Sequence, residues 1–307
     1  MVKYAGAGRS GSTAGDERRG VTGFSVRRMA RLLDVSASGY YAYVQRRTAG
    51  VLTPRQQYRA DLAVKILDVH NDSGGTYGSP RVAAELRARG ATVNEKTVAA
   101  VMAAIGIEGI SPRSFKVRTT VVDPAASFPP DRVRRRFDQG RLDAVWLTDI
   151  TYLTCGEGDM FLCAVRDGHS RRVLGHVVAD HVGADMVCAA IDAAVACRGR
   201  DVAGTVLHSD RGGEFTASLT AQACGRHDLK RSMGDTGICW DNSPAESFWS
   251  TFKHEYYYRH AFATKAELVA AVDNWILWYN HERRHSAIGM HSPVRFEHSL
   301  TGTARAA

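Results

Sequence analysis

The 307-residue sequence lacks any long apolar run, and no stretch approaches the roughly 20 apolar residues that a membrane-spanning helix requires. Its N-terminus, MVKYAGAGRSGSTAGDERRG, also lacks the apolar core of a secretory signal, so residues 1–20 are predicted to be a disordered leader. These absences argue against a membrane protein or a secreted one. They favour a cytoplasmic protein.

No two cysteines have the CxxC spacing of a zinc or redox site. Most of the cysteines lie within apolar stretches, which predicts buried thiols in a reducing compartment. A zinc site is disfavoured, and one in the first 150 residues would have no cysteine ligand. The cysteines are Cys155, Cys163, Cys188, Cys197, Cys224 and Cys239.

Acidic residues are scarce in the front of the chain. Residues 1–140 carry 23 Lys and Arg against 12 Asp and Glu, a net charge of +11, within a total of +8 for the whole sequence. The remainder is therefore mildly acidic, at −3. A basic region joined to an acidic one favours a nucleic-acid-binding region attached to a second domain, although an arginine-rich composition alone would also give this charge.

Two pairs of short helices are predicted in residues 21–112, which favours a helix-turn-helix type of DNA-binding region. In the first pair, Val26, Met29, Ala30 and Leu33 recur at helical spacing. In residues 79–106, Ser79 and Pro80 predict a helix start, Gly90 a stop, and Asn94 the cap of a second helix. Basic side chains of this pair are candidate phosphate contacts, with a solvated surface as the alternative for each. They are Arg81, Arg87, Arg89 and Lys96.

Residues 113–140 are predicted to be a basic linker, because prolines and small residues interrupt any periodic pattern. The linker ends near the run RVRRRF, in which Arg134, Arg135 and Arg136 are candidate DNA contacts. The character of the sequence changes after this segment, so the second domain is predicted to span residues 141–307.

The second domain is predicted to be an α/β domain with the order three strands, helix, strand, helix, strand, helix, helix. The first three strands are expected to form an antiparallel meander. The last helix is predicted to start with a capping box of Thr264 and Glu267. Its predicted core stripe is Leu268, Val272, Trp275, Ile276 and Tyr279. Asp149 lies within the apolar strand WLTDITYL, where a carboxylate is costly unless it is paired or binds a cation. Asp210 lies at the end of the next buried strand, where α/β sheets usually bind ligands. If these strands are adjacent, the two carboxylates are suited to holding two divalent cations about 4 Å apart.

Glu246 has two interpretations. In DNSPAESFWSTFKHE it follows Ser243 by three residues, the spacing of a capping box, with Pro244 at the first helical position. Capping explains Glu246 but neither of the two aspartates, whereas a two-metal site explains all three carboxylates. Oxygen ligands of this kind favour Mg²⁺ or Mn²⁺.

The motifs of the chain resemble those of a known family. Asp149, Asp210 and Glu246, with 35 residues between the last two, resemble the D, D, 35, E triad of retroviral integrases and many bacterial transposases. Five further motifs resemble those of the reading-frame-B transposases of the IS-three family of insertion sequences. They are WLTDITYL, HSDRG, DNSPAESFWSTFKHE, WYNHERRHSAIGMHSP and the D-x-x-S-R turn at Asp167–Arg171. In the front half, VSASGYYAY and TYGSPRVAAELRARG do so too.

The resemblance implies a ribonuclease H-like catalytic core, a mixed sheet flanked by helices, in which the triad binds two Mg²⁺ (or Mn²⁺) ions. It implies that Lys253, seven residues beyond Glu246, contacts the element's end DNA, and that His208 and Asn242 support the site. It further implies a transposase that cuts inverted-repeat ends and joins the 3′-OH to target DNA, acting as a homo-multimer. A separate reading-frame-A partner or a frameshift fusion is also expected.

The sequence departs from the family at Asp235, where a basic residue is usual, and at HSDRGGEF. Other functions remain as alternatives: an inactive DNA-binding regulator of the transposition complex, or a metal-dependent nuclease that does not join ends. A tyrosine recombinase using Tyr256, Tyr257 or Tyr258 is disfavoured, because no basic catalytic cluster surrounds these tyrosines in the sequence.

Overall fold

The computed structural model describes residues 25–48, 50, 52–111, 128–199, 201–234 and 243–306, with side chains to 301. These residues do not include the predicted leader, residues 113–127 of the predicted linker, or Asp235, Cys239 and Asn242. The chain divides into two compact units, Met1–Asp61 and Leu62–Ala307. The domain boundaries inferred from the sequence remain predictions.

The first unit contains the first predicted helix pair, α1 (Val26–Leu32) and α2 (Ala37–Thr48), and the start of α3 (Pro54–Asp72). The Ser25 hydroxyl caps α1 by accepting a hydrogen bond from Arg28 N at 3.2 Å. The helix predicted from the apolar spacing is confirmed, but its apolar residues do not form a buried stripe: of the four only Ala30 is buried, and Leu33 is 69% exposed. Helix α1 has only two turns and α2 has no buried residue, so the two helices have little apolar surface to pack together.

The second unit begins with the second predicted pair, α4 (Ser79–Ala88) and α5 (Glu95–Ala104), which pack on α3. The predicted cap of α5 is confirmed, because Asn94 Oδ1 accepts a hydrogen bond from Lys96 N at 2.8 Å. The predicted cap of α4 is wrong by one residue: Gly78 occupies that position, and Ser79 is already helical. The buried core of these helices consists of Leu62, Ile66, Val69, Tyr77, Val82, Ala83, Leu86, Val93, Val98, Val101 and Met102.

Within the described residues, five strands form one mixed sheet in the order β3-β2-β1-β4-β5. The strands are β1 (Val145–Cys155), β2 (Gly158–Asp167), β3 (Val173–Ala179), β4 (Val206–Ser209) and β5 (Lys230–Met233). The first three strands form the predicted antiparallel meander, and β4 and β5 extend the sheet in parallel with β1. The predicted order of the strands is confirmed. The predicted helices are wrong in two places: two helices, Gly213–Thr216 and Ser218–Arg226, stand where one was predicted, and a further helix, Pro293–Ala306, follows the one that was predicted to be the last.

Helices cover both faces of the sheet. They are α6 (Ala184–Arg198), α7 (Gly213–Thr216), α8 (Ser218–Arg226), α9 (Ser243–Glu255), α10 (Lys265–His281) and α11 (Pro293–Ala306). Alternate residues of β2 point to opposite faces, so Cys163 and Val165 pack with α6 and α8, whereas Leu162 and Ala164 pack with α9 and α10. Gly175 lets α6 approach β3 closely, since a Cβ there would lie 2.4 Å from Ala190 O.

The predicted apolar stripe of α10 is confirmed, because its five residues are all buried: Leu268, Val272, Trp275, Ile276 and Tyr279. The predicted capping box at its start is also formed. Glu267 N donates to the Thr264 hydroxyl at 3.1 Å, and Thr264 N donates to Glu267 Oε2 at 3.3 Å. No helix of the described residues is long and apolar enough to cross a membrane.

Candidate active site

The strand register brings Asp149 and Asp210 to the same level of the sheet. Strands β1 and β4 are parallel, and Leu147 pairs with His208. Asp149 and Asp210 each follow two residues later along their own chains, so both side chains belong to the same face as this pair. The strands are adjacent, as predicted. β1 continues along β2 beyond this point, which leaves Asp149 in the middle of a strand and Asp210 just beyond the end of one.

Two hydrogen bonds fix the half-buried carboxylate of Asp149. Its Oδ1 accepts from Ile150 N at 2.9 Å and its Oδ2 accepts from the Trp249 indole N–H at 3.1 Å. Burial and the negative charge of Asp210, with a smaller effect of Glu246, raise the pKa of Asp149 to about 7. The charges of Asp210 and Glu246 therefore both reach the carboxyl group of Asp149.

The side chain of Asp210 opens toward solvent, with Oδ1 accepting a hydrogen bond from Gly212 N at 3.0 Å. The protein packed behind this carboxyl raises its pKa, and Glu214 raises it further. Glu214 is an acidic neighbour that the sequence analysis did not identify. A Cβ on Gly212 would lie 2.8 Å from Glu214 Oε2 and 3.1 Å from Asp210 Oδ1, so the glycine leaves room for both carboxylates.

Helix α9 carries three candidate site residues. Glu246, Trp249 and Lys253 recur at spacings of three and four residues, so they form one stripe of the helix. Partial burial raises the pKa of the Glu246 carboxyl. Burial lowers the pKa of the Lys253 ammonium, and the charge of Asp149 opposes that shift, which places Lys253 within electrostatic reach of the site.

The cap interpretation of Glu246 does not describe its observed environment. Helix α9 begins at Ser243 itself, so the prediction that Ser243 precedes the helix as its cap is wrong. Among the residues that the structure describes, the Glu246 side chain has no hydrogen bond or ion pair, in contrast to Glu267 in the capping box of α10. Glu246 is an exposed carboxylate without a structural partner in that part of the chain.

The donor chemistry of the site fits a hard divalent cation. Carboxylate oxygens are the preferred ligands of Mg²⁺, and mutual repulsion among negative charges is relieved when a cation binds. The described residues do not close around an ion: no three His, Cys, Asp or Glu side chains among them form a set that encloses a metal. Hydrogen bonds hold the carboxylates of Asp149 and Asp210, whereas the Glu246 carboxylate has none within the described residues. To share a metal ion with the two aspartates, the Glu246 side chain would have to turn toward them.

Trp249 is a functional residue that the sequence analysis missed. Its spacing within an apolar helix predicts a core side chain, and it is indeed 93% buried, against Phe248. The indole N–H nevertheless donates to Asp149, which makes Trp249 a positioning residue for the candidate metal ligand. Only its residue type hints at this role, since a buried tryptophan needs an acceptor for its N–H.

Trp249→Phe is expected to weaken Mg²⁺-dependent activity about 10–100-fold, the usual cost of removing an outer partner of a metal ligand. The loss should appear as a higher Mg²⁺ requirement, because Asp149 remains present but is held less firmly. Titrating DNA cleavage with Mg²⁺ measures this. Trp275→Phe is the matched control, since Trp275 is equally buried in the same apolar cluster but has no hydrogen bond to an active-site carboxylate. Identical Mg²⁺ requirements in the two variants would contradict the positioning role.

His208 lies in the core rather than in the open site. It is 1% exposed, and its Nδ1 lies 3.0 Å from the Ser232 hydroxyl. Its ring also makes an edge contact with Phe137. These contacts fit the alternative of a satisfied core histidine that supports β4. Asn242, the other predicted supporting residue, lies outside the described residues.

The predicted phosphate contacts of the helical region differ in their surroundings. Arg81 forms an ion pair with buried Glu255 at 3.3 Å, and Arg87 donates to Val93 O at 3.0 Å. Lys96 is exposed on α5. Arg89 forms ion pairs with Asp72 and Glu85. Among these four residues, Lys96 is therefore the one whose side chain makes no hydrogen bond or ion pair with the described part of the chain. The partners of Arg87 and Arg89 lie close to them in the sequence, whereas Glu255, the partner of Arg81, lies 174 residues away.

The basic run of the predicted linker is exposed at Arg134, Arg135 and Arg136. Arg134 and Arg135 have φ values of 48° and 61°, so the chain turns sharply here. Asp131 Oδ1 supports the turn by accepting from Val133 N and Arg134 N, both at 2.9 Å. An ordered basic turn therefore stands at the end of the predicted linker, immediately before the sheet.

Comparison with known proteins identifies the family. Integrase core domain models match residues 141–239 and 227–293, and an HTH-like domain model matches residues 57–115. Among solved structures, the chain is similar to one from a simian T-cell lymphotropic virus intasome in complex with PP2A regulatory subunit B56 gamma. The TM-score is 0.45 and the identity 13%, over 76% of this chain and 74% of that one.

Curated relatives cover nearly the whole length. The chain is 35% identical to the transposase InsF for insertion sequence IS3A of Escherichia coli (strain K12), over 89% of this chain and 94% of that protein. It is 29% identical to an uncharacterized 31 kDa protein of insertion element IS600 of Shigella sonnei, over 87% of this chain and 97% of that protein. The chain has an HTH-like region followed by a ribonuclease H-like integrase core, as the sequence predicted. With the identity to InsF over nearly its whole length, it belongs to the family of IS3 insertion-sequence transposases.

Proposed function

We propose that this transposase cuts phosphodiester bonds at transposon ends and joins the 3′-OH to target DNA, with Asp149, Asp210 and Glu246 as ligands of two Mg²⁺ or Mn²⁺ ions. The observation that carries the proposal is the placement of Asp149 and Asp210 on adjacent parallel strands, with α9, the helix that carries Glu246, hydrogen-bonded to Asp149 through Trp249. Burial and the charge of Asp210 raise the pKa of Asp149 to about 7, which supports a site that binds a cation. Family membership supports a polynucleotidyl transferase, and no observation favours the inactive alternative.

When bound, the divalent ions would neutralise charge on the phosphodiester and activate the attacking oxygen. The protein's own contribution is to orient the ligands. Trp249 and Ile150 hold the two oxygens of Asp149, and Gly212 holds Asp210. Glu246 lies on the same stripe of α9 as Trp249, so rotation of its side chain brings its carboxylate toward Asp149. Lys253, two turns further along α9, would contact the phosphates of the end DNA.

The reaction requires no covalent bond between protein and DNA. The environment of Tyr257 supports this, since its hydroxyl is engaged by the backbone of β1. Tyr257 Oη accepts from Thr154 N at 2.6 Å and donates to Thr154 O at 2.8 Å. A tyrosine fixed in this way serves the structure and is not poised as a nucleophile. The tyrosine-recombinase alternative therefore gains no support from Tyr257.

DNA contacts beyond the catalytic core are proposed for the exposed residues Lys96, Arg134, Arg135 and Arg136. Arg81 and Arg87, proposed from the sequence, would have to exchange their intramolecular partners to reach phosphates. We also propose a homo-multimer that pairs two transposon ends, and a reading-frame-A partner or fusion. Both rest on the family resemblance.

The proposal is tested by incubating the protein with labelled DNA that carries the inverted repeat flanking its gene. We expect Mg²⁺ or Mn²⁺ to support cleavage that leaves a 3′-OH, followed by joining of that end to a second DNA, and chelation to stop both. Cleavage without joined products would indicate a nuclease. DNA binding without either product, with and without a frame-A partner added, would indicate the inactive regulator.

A further inference from the structure

A basic cleft of about 180 Å³ lies on the flank of α9 and has no role in the site described above. Four arginines line it: Arg81, Arg166, Arg171 and Arg283. None of the described residues that line the cleft is acidic. Burial and the surrounding arginines hold the pKa of His285, which also lines the cleft, well below its usual value. The cleft thus concentrates positive charge in a partly enclosed space, where an anion binds most favourably.

Three of the four arginines have partners within the protein. Arg283 forms a two-pronged ion pair with Glu255, with Nη2–Oε1 and Nε–Oε2 distances of 2.6 and 2.7 Å, and Arg81 lies 3.3 Å from the same carboxylate. Arg166 donates to Pro244 O at 2.7 Å and lies over the Phe248 ring. One carboxylate therefore serves two guanidinium groups, and the cleft keeps an excess of positive charge.

Arg171 is the exception. Its side chain makes no hydrogen bond or ion pair with any residue that the structure describes, and its Nε is buried without a partner. Its pKa is lowered by burial and by the nearby charge of Arg166. Arg171 is half-buried, and a guanidinium that is partly removed from water without a hydrogen-bond partner costs free energy in the absence of a ligand. A cleft that contains such a group is suited to binding an anion.

The D-x-x-S-R turn does not itself explain the arginine. Asp167 Oδ1 accepts from the backbone N–H groups of His169 and Ser170 at 3.0 and 2.7 Å, which builds the turn. The Ser170 hydroxyl donates to Glu297 Oε1 at 2.7 Å, which ties the turn to α11. Arg171 occupies the left-handed region at φ 66°, a conformation that glycine or asparagine adopts at lower cost. The conformation of the turn therefore does not account for an arginine side chain at this position.

The cleft lies next to the catalytic stripe of the same helix. Ser247 and Thr251, one turn apart on α9, line it, and Ser247 directly follows Glu246. Arginine guanidinium groups and serine or threonine hydroxyls are the side chains that most often contact backbone phosphates. We propose that this cleft binds a backbone phosphate of the DNA strand that lies along α9, with Arg171 as its principal contact. The inference rests on the proposed function, because it takes the substrate to be DNA.

The test measures the binding of inverted-repeat DNA by the full-length protein across a range of salt concentrations, without Mg²⁺ so that no chemistry is required. For Arg171→Gln, the slope of log K against log salt should shrink by about 0.9, the loss of one phosphate contact. Affinity at 0.1 M salt should fall about tenfold. Arg171→Lys should keep the slope, since it keeps the charge.

Arg226→Gln is the matched control for loss of one positive charge. Arg226 lies on α8, across the sheet from α9, where it is exposed and paired with exposed Asp192. Its substitution should leave the salt slope unchanged. Arg171→Gly controls for folding, because glycine suits φ 66° and should maintain thermal stability while showing the same loss of slope as Arg171→Gln. A slope for Arg171→Gln equal to that of Arg226→Gln would overturn the inference.

Neutral methylphosphonates, placed one at a time along the DNA, locate the contact. We expect one position at which neutralisation weakens binding by the parent and by Arg226→Gln but not by Arg171→Gln. A site for free anions gives a different result: inorganic phosphate would raise the melting temperature of the parent alone, with no phosphate position or salt slope depending on Arg171. That result would overturn the assignment to DNA. A parent protein that binds DNA but does not cleave it in Mg²⁺ would contradict the proposed function and leave the cleft testable.

Discussion

Glu246→Gln is expected to reduce Mg²⁺-dependent cleavage and strand transfer by about 10³-fold or more, since loss of a metal ligand removes several kcal/mol of transition-state stabilisation. The fold should be unaffected, because the Glu246 side chain is exposed and has no hydrogen bond within the described residues. Glutamine keeps the size of the side chain and removes its charge. Product yields on labelled end DNA, measured beside circular dichroism and DNA affinity, separate loss of chemistry from loss of structure.

Glu267→Gln is the matched control for this substitution. Glu267 is an exposed glutamate in the first turn of α10, and its carboxylate completes a capping box there. Glutamine also serves in a capping box, so this variant should keep both activity and fold. Parental activity in Glu246→Gln would contradict the proposed role of Glu246 as a metal ligand of the triad. Equal losses in both variants would point instead to a general requirement for negative charge at helix N-termini.

The positions of Asp149 and Asp210 were predictable because local rules determine them. A carboxylate within an apolar strand demands an explanation, and the end of a parallel strand is where α/β sheets bind ligands. Parallel pairing of Leu147 with His208 then brings the two aspartates level. The first two rules need no knowledge of distant contacts, whereas the pairing of β1 with β4 is itself such a contact and was only assumed. The apolar stripe of α10 was predictable for the same reason, since helical periodicity is a local property.

Contacts between residues far apart in the sequence could not be predicted in the same way. Arg81 was expected to meet phosphates, but its guanidinium pairs with Glu255, which lies 174 residues later in the chain. Trp249 was expected only to fill the core, but its indole N–H reaches Asp149 across 100 residues. In both cases the residue type was compatible with the observed role. The partner is supplied by packing between elements, which composition and periodicity do not specify.

Glu255→Gln is expected to lower the free energy of unfolding by about 3–5 kcal/mol, the usual cost of breaking a buried ion pair from one side. The side chains of Glu255 and Arg283 are 2% and 4% exposed, and their two-pronged contact joins α9 to the segment after α10. Burial opposes protonation of Arg283, and Glu255 holds the pKa of that guanidinium above its usual value. Without the carboxylate, Arg283 and Arg81 would face each other in a buried space. Urea-induced unfolding followed by tryptophan fluorescence measures the loss.

Asp192→Asn provides the comparison with an exposed ion pair. Asp192 pairs with Arg226 at 3.2 Å and with His227 at 2.7 Å on the surface, where such pairs contribute about 0–1 kcal/mol. The triple variant Arg81→Met/Glu255→Leu/Arg283→Met should recover much of the stability lost in Glu255→Gln, because it replaces all three charged members of the cluster by apolar side chains, which is often neutral. If Glu255→Gln were no more damaging than Asp192→Asn, this ion pair would not hold α9 in place. The position of Glu246, at the other end of that helix, would then be maintained by apolar packing, by the Trp249 hydrogen bond and by the hydrogen bond from Arg166 to Pro244 O.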